Sequence, residues 1–415
     1  MLYSRIVETL RVGVIGLGKL GLPLAATFAN SDFPVLGIDQ NVDLISQLNL
    51  GNFDYGEPGL NTYLHNSRAN MKFSNDFSKL NSVDIVYLIV PTPSDESGFF
   101  VNDFLISAIK KIGEAWKNCD HYRTLVIVST VMPGSTRNSL IPVLEDATGE
   151  STGTKLNVIY APEFIAIGSV IRDLEHPDLL LIGASTEDAA KDHSRIMSKI
   201  VKSSAIRRLL NLEEAEMVKI LINNFITTKI TFANQIAELT DFVPGTNQEL
   251  IAEAIGLDTR IGRKYLKPGL GFGGPCFPRD TRALAAFAKA HGWKSELAVA
   301  VEEVNGRQPE VIARRILRNY PDIKKVGVYG LSYKEGSSLL EESQALELSK
   351  VLLRMNVGVL VFDPLIRSRP SELPLDLAFT NNISDLENLD LLIYTQKIRN
   401  EDTNNLKTIK KFSLC

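Results

Sequence analysis

The sequence predicts an α/β fold with two doubly wound, Rossmann-like α/β domains joined by a long central helix. Three observations predict this fold. Over the first 200 residues, short apolar runs alternate with helical patterns. A helix-compatible stretch from Leu212 to Val243 then contains neither Pro nor Gly, and a second strand–helix alternation begins at Lys325. Alternation of this kind is typical of parallel sheets whose two faces are covered by helices.

Length and composition limit the possible functions. The chain has 415 residues, which is room for two or three domains of roughly 150 residues. Its 45 Lys and Arg against 49 Asp and Glu give a net charge of −4, which argues against nucleic acid or an anionic membrane as a partner. Three cysteines are too few for a disulfide framework and predict a cytoplasmic location. We expect no bound metal, because the five histidines show no metal-binding spacing.

No apolar stretch approaches the roughly 20 residues of a membrane helix. We expect no signal peptide, because the N-terminal residues run directly into a strand and lack a separate apolar segment and a small-residue cleavage site. The first elements are a strand at Val12–Leu17, a helix from about Lys19 to Asn30 and a strand near Val35–Asp39. Further strands are predicted at four apolar runs: Asp84–Val90, Leu125–Ser129, Asn157–Tyr160 and Leu179–Gly183.

A G-x-G-x-x-G turn at 16–21 follows the first strand and opens the first helix. Gly16 allows the tight turn, Gly18 lets the backbone approach a pyrophosphate, and Gly21 allows close helix–sheet packing. About 20 residues further on, Asp39 ends a strand, where it can bind ribose hydroxyls and would repel a 2′-phosphate. The pattern predicts a dinucleotide site that prefers NAD to NADP. The alternative is a glycine turn that binds nothing.

The central stretch Leu212–Val243 is apolar on all sides and ends before Pro244 and Gly245. A long helix so broadly apolar is normally buried between domains or subunits. Its apolar residues are Val218, Leu221, Ile222, Phe225, Ile226, Ile230, Phe232 and Ile236. We therefore expect a homodimer built on this helix.

The segment Pro268–Asp280 reads PGLGFGGPCFPRD, with four glycines shortly before Cys276. A loop of this kind presents bare backbone N–H groups to a ligand. Pro278 is typical of the first turn of a helix, so Cys276 is expected at a helix N-terminus, beside Arg279. Both surroundings favour a thiolate, and the segment predicts a nucleophilic cysteine. The alternative is a buried structural cysteine.

The third region has strands at Val326–Leu331, Val357–Phe362 and Leu389–Thr395 and a helix at Glu342–Met355. Its first turn, GLSYKEG, lacks the dinucleotide glycine pattern. The last 15 residues are polar, and we expect them to be poorly ordered.

On these motifs, and over essentially its whole length, the chain resembles the UDP-glucose/GDP-mannose dehydrogenase family. The resemblance implies an NAD-binding domain at 1–205, a central helical dimerisation region with the cysteine loop at 206–308, and a nucleotide-sugar-binding domain at 309–415. It also implies that a sugar primary alcohol is oxidised to a carboxylate in two NAD-dependent steps. The implied course is capture of the aldehyde by Cys276 as a thiohemiacetal, oxidation to a thioester, and hydrolysis.

The catalytic motifs of that family match this chain residue by residue. Cys276 falls on the implied nucleophile, and Asp280 and Thr130 fall on a pair implied to orient a water. Lys219 and Asn223 are four residues apart and so share one face of the central helix. They are implied to bind the developing oxyanion, and Lys219 is also a candidate base.

Glu163, in Ala-Pro-Glu-Phe, matches the glutamate implied in thioester hydrolysis. Each single match has a structural alternative. Thr130 is then a strand-end cap, Lys219 a residue at a helix edge with its amino group in water, and Glu163 the start of a helix. The matches occur together, in the order of the family and within its local strings, which favours the catalytic interpretation.

Further matches predict binding residues. The resemblance implies that Arg260 reaches the sugar site of a neighbouring subunit, that Lys267 contacts sugar or phosphate, and that Lys334 lies at an interdomain cleft. For these cations the alternative is a solvated surface. The predicted substrate residues are Phe164, Lys219, Asn223, Arg260, Tyr265, Lys267, Gly273 and Lys334. The predicted cofactor residues are Gly16, Gly18, Lys19, Leu20, Gly21, Asp39, Pro91, Thr92, Thr130 and Lys334.

Two positions depart from the family pattern. Ile167 stands where a second Glu is common, and Glu341 stands where an Arg implied to contact the cofactor is common. The favoured substrate is a UDP-hexose such as UDP-glucose, because Gly168 and Asp173, downstream of Glu163, resemble that branch. A UDP-N-acetylhexosamine or GDP-mannose enzyme is the alternative within the class. A diverged, non-catalytic protein that binds NAD and a nucleotide sugar is the alternative from another class.

Overall fold

The structure, a computed structural model, describes residues 10–52, 56–402, 406 and 409–414. It divides into two compact units, Met1–Lys219 and Ile220–Cys415. The division into three parts at 205 and 308 stays a prediction. Cys415 lies outside the described residues.

The first unit is built on a sheet that has eight strands within the described residues. The strands are β1 Val12–Ile15, β2 Val35–Ile38, β3 Met71–Ser74, β4 Ile85–Leu88, β5 Arg123–Ile127, β6 Leu156–Tyr160, β7 Leu179–Gly183 and β8 Ile206–Leu210. Their order is β3-β2-β1-β4-β5-β6-β7-β8. This order reverses direction between β1 and β4, which is where doubly wound sheets bind ligands.

Apolar clusters lie on both faces of this sheet, as a doubly wound fold requires. One cluster contains Phe28 and Tyr87, and the other contains Leu88 and Trp116. The helices that cover the faces are α1 Gly21–Asn30, α2 Val42–Leu50, α3 Leu60–Asn66, α4 Asp103–Trp116, α5 Ile141–Thr148, α6 Val170–Glu175 and α7 Lys191–Ile200. The predicted α/β class is confirmed.

One strand pair differs from the expected parallel arrangement, because β6 and β7 are antiparallel. The chain between them passes through α6, which has six residues and therefore rises only about 9 Å. A strand of five residues is roughly 17 Å long, so α6 does not carry the chain back to the starting edge of the sheet.

The central helix α8 covers Leu212–Thr240. It ends before Pro244 and Gly245, as the sequence predicts. Not all of its apolar side chains are buried within the chain. Leu221, Phe225, Phe232 and Leu239 are exposed along it.

The second unit contains a smaller sheet. After α8 come α9 Gln248–Gly256, α10 Phe277–Ala290, α11 Glu296–Asn319, β9 Lys325–Tyr329, α12 Gln344–Arg354, β10 Gly358–Phe362, β11 Ala378–Phe379, β12 Leu391–Tyr394 and β13 Lys411–Ser413. The strand order is β11-β10-β9-β12-β13, and the described pairs are parallel.

The expectation of a poorly ordered end is wrong for 411–413, because β13 pairs with β12. Phe412 packs against the core of the second unit, with its ring 6.3 Å from that of Tyr320. Leu414 is buried in the same core. These apolar contacts hold a short strand in which two of the three residues are polar.

Candidate active site

The glycine turn after β1 has the geometry of a dinucleotide site. Gly16 has φ +90°, and a Cβ there would lie 1.9 Å from the carbonyl oxygen of Ile89. A Cβ at Gly21 would lie 1.7 Å from the Gly16 oxygen, so α1 can start only at a glycine. A Cβ at Gly18 would meet nothing within 4 Å. Packing therefore requires two of the glycines, while the third leaves open space where a pyrophosphate would approach.

Asp39 lies at the end of β2, beside this turn. Its Oδ2 accepts a hydrogen bond from Leu17 N at 2.8 Å, and its Oδ1 accepts one from Asn41 N at 2.9 Å. Each carboxylate oxygen keeps a second acceptor position, and the residue is only half-buried. The turn and this carboxylate therefore fit NAD, with Asp39 available to the ribose hydroxyls.

Other predicted cofactor residues lie at the carboxyl ends of neighbouring strands. Thr92, after β4, is buried and donates from Oγ1 to the Thr130 carbonyl, after β5, at 2.7 Å. Thr130 is half-buried, and Pro91 and Lys19 are exposed. The structure thus joins the loops of Thr92 and Thr130 at the switch point, where a cofactor is expected.

Glu163 and Lys219 are in contact in the first unit. The Lys219 ammonium donates to the Glu163 carbonyl at 2.6 Å and lies 4.5 Å from the centre of the Phe164 ring. Burial raises the pKa of Glu163 to about 7, although the nearby charge of Lys219 opposes the shift. Lys219 is itself buried rather than at a helix edge. Ile167, in the same segment, is half-buried.

Glu216, which the sequence analysis missed, lies one turn before Lys219 on α8. It is fully buried and accepts hydrogen bonds from Gly134 N at 2.5 Å and Thr136 N at 2.8 Å. Burial raises its pKa. Glu216 thereby holds the turn that follows Thr130. The spacing of three residues from Lys219 was the one signal that could have indicated it.

In the second unit, Cys276 is the N-cap residue of α10, and Pro278 lies in the first turn. The cysteine is exposed. Asp280, also in that turn, is 1% exposed; its Oδ2 accepts from Asn223 Nδ2 at 2.6 Å and its Oδ1 from the Arg279 guanidinium at 3.1 Å. Asn224 Nδ2 donates to the Asp280 carbonyl at 3.0 Å. The structure therefore brings Asn223 and Asp280 together beside the cysteine turn.

The glycine loop before Cys276 packs against the loop that follows β9. A Cβ at Gly273 would lie 2.2 Å from the Glu342 carbonyl oxygen, and one at Gly274 would lie 2.4 Å from the Tyr333 ring. Gly274 N donates to the Glu341 carbonyl at 3.1 Å. Burial, with the charges of Cys276 and Glu341, raises the pKa of Tyr333 to about 12. These two glycines therefore allow the loop before Cys276 to pack closely against the loop that follows β9.

The other predicted substrate residues lie in different surroundings from one another. Arg260 is exposed and paired with Asp258 at 2.6 Å, and Lys267 is exposed. The Lys334 ammonium lies 5.8 Å from the centre of the Tyr333 ring. Tyr265 has φ +64° and packs edge-on against Phe277, with ring centres 6.3 Å apart. The structure places Tyr265 beside the cysteine turn, through its contact with Phe277.

The turn after β9 repeats the backbone geometry of the first unit without its glycine pattern. Gly330 has φ +92°, and Leu331 N donates to Asp363 Oδ2 at 2.8 Å, as Leu17 does to its aspartate. Ser332 adds two further donors, N at 2.9 Å and Oγ at 3.0 Å. Asp363 is 2% exposed, so its carboxylate is committed to the protein rather than to a ribose.

A Rossmann turn of this geometry, in a doubly wound sheet, is typical of NAD-dependent dehydrogenases. Residues 10–202 match the NAD binding domain of the UDP-glucose/GDP-mannose dehydrogenase family, and residues 213–307 match its central domain. The chain belongs to this family. It is an NAD-dependent nucleotide-sugar dehydrogenase.

Similar proteins cover nearly the whole chain. The chain is 32% identical to the UDP-glucose 6-dehydrogenase AglM of Haloferax volcanii over 92% of this chain and 90% of the relative. It is 30% identical to a GDP-mannose 6-dehydrogenase of Pseudomonas putida over 85% of this chain and 81% of the relative. A solved UDP-glucose dehydrogenase of Pyrobaculum islandicum has a TM-score of 0.85 at 29% identity, covering 95% of this chain and 92% of its own.

Among the described residues, no helix is both long and apolar enough to cross a membrane. In the same part of the chain, no group of three or more His, Cys, Asp or Glu side chains is arranged to hold a metal ion. The cytoplasmic location stays a prediction.

Proposed function

We propose that the chain oxidises the C6 primary alcohol of UDP-glucose to the uronic acid, through a covalent adduct on Cys276. The observation that carries the proposal is the position of this cysteine. It is an exposed thiol at the N-cap of α10, directly after a glycine loop and in the same turn as Asp280. A thiol there is favoured as a thiolate by the helix dipole. The relative from Haloferax volcanii supports UDP-glucose as the sugar nucleotide.

The first oxidation requires a base and donors for the developing oxyanion. NAD, when bound, accepts the hydride from C6 in each of the two oxidations. Lys219 and Asn223, one turn apart on α8, are the proposed donors, because an ammonium and an amide both stabilise negative oxygen. Lys219 is also the candidate base: as the neutral amine it takes the hydroxyl proton, and it thereby becomes the ammonium that stabilises the developing oxyanion. The product of this step is the aldehyde.

The second oxidation uses the covalent adduct. The Cys276 thiolate adds to the aldehyde carbon, so that a C–S bond forms and the C=O π bond breaks, and the oxygen takes a proton from the Lys219 ammonium to give a thiohemiacetal. Return of that proton to Lys219 and loss of a second hydride from the same carbon give the thioester. A tethered thiohemiacetal stays oriented for this transfer, whereas a free aldehyde can diffuse away.

Hydrolysis completes the reaction. Water oxygen adds to the thioester carbonyl, the C–S bond breaks, and sulfur leaves as the thiolate. Glu163 is the proposed acceptor of the water proton, because a carboxyl whose pKa is about 7 is suited to base catalysis near neutral pH. Thr130 and Asp280 are the proposed orienting residues.

We also propose that the chain forms a homodimer through α8. The exposed side chains Leu221, Phe225, Phe232 and Leu239 recur along one helix at intervals of four and seven residues. Such spacing places them on one face, and apolar faces of this kind are typical of subunit interfaces. Arg260, which is exposed, is the proposed contribution to the sugar site of the partner.

Two alternatives to this function can be tested by experiment. GDP-mannose or a UDP-N-acetylhexosamine is the alternative substrate, and the Pseudomonas putida relative supports the former. A non-catalytic binding protein is motivated by Ile167 and Glu341. The intact set of Cys276, Lys219, Asn223 and Asp280 argues against it, because a protein that only binds would be expected to lose the nucleophile before peripheral cations.

The test is a panel of UDP-glucose, GDP-mannose and UDP-N-acetylhexosamines, with NADH and sugar product counted together. We expect UDP-glucose to give two NADH per sugar and the highest kcat/KM. A higher kcat/KM for another sugar would change the substrate but keep the reaction. No NADH from any sugar, with NAD binding intact by calorimetry, would identify the non-catalytic alternative.

A further inference from the structure

The segment between β6 and α6, residues 161–169, carries Glu163 but has no regular secondary structure. The backbone N–H and C=O groups of such a segment need hydrogen-bond partners from elsewhere in the protein. At its start, Ala161 N donates to the Ile127 carbonyl at 2.9 Å. Beyond that point, side chains from elsewhere in the first unit hold it. The position of Glu163 therefore depends on these side chains.

Glu57, which lies just before α3, makes the most distant of these contacts. Its Oε2 accepts a hydrogen bond from Gly168 N at 3.0 Å, and its Oε1 accepts one from Ile171 N at 3.3 Å. The partners are 111 and 114 residues away along the chain. Gly168 has φ +91°, a conformation that favours glycine and turns its N–H toward the carboxylate.

Two other side chains hold the same segment. The Lys219 ammonium binds the Glu163 carbonyl at 2.6 Å, and Asp173 Oδ2 accepts from Ala166 N at 3.2 Å. The segment is thus held near its start by Lys219, in its middle by Asp173, and at its end by Glu57. Asp173 lies on α6 itself, so Glu57 is the anchor that ties the end of the segment to another part of the unit.

We propose that Glu57 is a positioning residue for thioester hydrolysis, acting through the 163–168 segment on Glu163. The inference rests on the proposed function. Without the carboxylate, two backbone N–H groups lose their acceptor and the end of the segment is released. A displacement of about 1 Å at a reacting group lowers a rate by up to roughly a hundredfold. The two hydride transfers do not use the Glu163 carboxylate, and Lys219 holds the Glu163 carbonyl at the end of the segment far from Glu57, so we expect the larger loss in hydrolysis.

The chain supplies a matched control on α3, the helix that follows Glu57. Tyr63, on α3, donates from its hydroxyl to Glu175 Oε1 at 2.6 Å, at the opposite end of α6 from Glu57. Removing this contact loosens α6 without touching the 163–168 segment. A role of Glu57 in stability alone would therefore be reproduced by Tyr63→Phe, and a positioning role would not.

The experiment compares wild type, Glu57→Ala, Glu57→Gln and Tyr63→Phe with UDP-glucose and NAD. For Glu57→Ala we expect a rapid release of two NADH per site, then a kcat about tenfold below wild type. The mass of the quenched protein should show a UDP-hexuronyl adduct on Cys276, because the thioester forms at C6 and the nucleotide stays on the sugar. Glu57→Gln keeps one acceptor oxygen and should lose less, while Tyr63→Phe should keep the wild-type kcat. KM for NAD should stay within about twofold throughout.

Two results would overturn the inference. One is a wild-type rate of adduct decay in both Glu57 variants. The other is an equal slowing of NADH release and adduct decay in Glu57→Ala and in Tyr63→Phe, which would indicate a loss of stability only. A wild type that forms one NADH per sugar contradicts the proposed function itself and removes the role of Glu57 with it. Failure of the Glu57 role and failure of the proposed function therefore give different results.

Discussion

At the scale of single residues, the surroundings of a side chain decide its chemistry. Cys119 and Cys276 illustrate this, because both are thiols but their positions differ. The Cys119 sulfur lies 3.6 Å from the Asn81 carbonyl and 3.7 Å from the Ala115 carbonyl, and the residue is half-buried. Cys276 is exposed at a helix N-terminus. Only the latter position favours a thiolate that can reach a substrate.

Cys276→Ser should separate the two halves of the reaction. A serine hydroxyl keeps the shape of the site but is a far weaker nucleophile unless a base activates it. We expect the variant to stall after the first hydride transfer, with at most about one NADH per active site. Absorbance of NADH, counted against sugar consumed, measures this directly.

Cys119→Ser is the control for that experiment, and it should retain two NADH per sugar. If Cys276→Ser also yields two NADH per sugar at nearly the wild-type rate, the cysteine has no part in the mechanism.

The buried carboxyl of Glu163 predicts a pH dependence. Burial raises the pKa of Glu163 to about 7, so the carboxyl is protonated below that pH and cannot accept a proton from water. The rate of decay of the Cys276 adduct should therefore rise with pH through about 7 and level off above it. Quenched mass spectrometry at a series of pH values gives this rate. Glu163→Gln should be slow at every pH; an unchanged inflection in that variant would assign the titration to another group.

At the scale of elements, the strand–turn–helix of β1 and α1 combines two requirements that can be tested apart. Gly21 is needed for packing, since a Cβ would lie 1.7 Å from the Gly16 oxygen, whereas a Cβ at Gly18 meets no protein atom within 4 Å. Gly21→Ala should lower the free energy of unfolding by about 3 kcal/mol or more. Gly18→Ala should change it by less than about 1 kcal/mol.

Gly18→Ala, the variant expected to keep its stability, should instead lose affinity for NAD. The methyl group of Gly18→Ala occupies space beside the pyrophosphate, so we expect the Kd for NAD to rise about tenfold, or about 1.4 kcal/mol. Urea unfolding and calorimetry measure the two quantities on the same protein. Wild-type NAD affinity in Gly18→Ala would show that the cofactor does not approach this turn.

At the scale of the whole molecule, α8 links folding to assembly. Phe225 is 67% exposed and Phe232 is 50% exposed in the single chain, although both are large apolar side chains. The double variant Phe225→Glu/Phe232→Glu places charges on this face and should convert a dimer to a monomer in light scattering. Because Arg260 is proposed to act in the partner, kcat/KM should also fall by about tenfold or more.

Leu375→Glu controls for the addition of a charge at an exposed apolar residue. Leu375 is fully exposed and lies outside α8, before β11. This variant should keep the dimer and the activity. A wild-type protein that remains monomeric at micromolar concentration would contradict the dimer and the role of Arg260 together.

Several features were determined by the sequence itself. The turn at 16–21 and the first turn of α10 were predictable because a glycine with positive φ and a first-turn proline are local constraints. The pairing of Lys219 with Asn223 on one helix face follows from helical spacing alone. The class of protein and the cofactor depended on such local signals, and these are independent of how distant segments pack.

Tertiary structure alone decided the rest. The contact of Glu57 with Gly168 joins residues 111 positions apart, and no local pattern records it. The first three of the five residues of β8 are exposed, and β13 is three residues long. Each strand forms by pairing with a neighbour rather than by its own apolar run. The raised pKa of Glu163 has the same origin, because burial is a property of everything packed around a residue and not of the residues beside it in the chain.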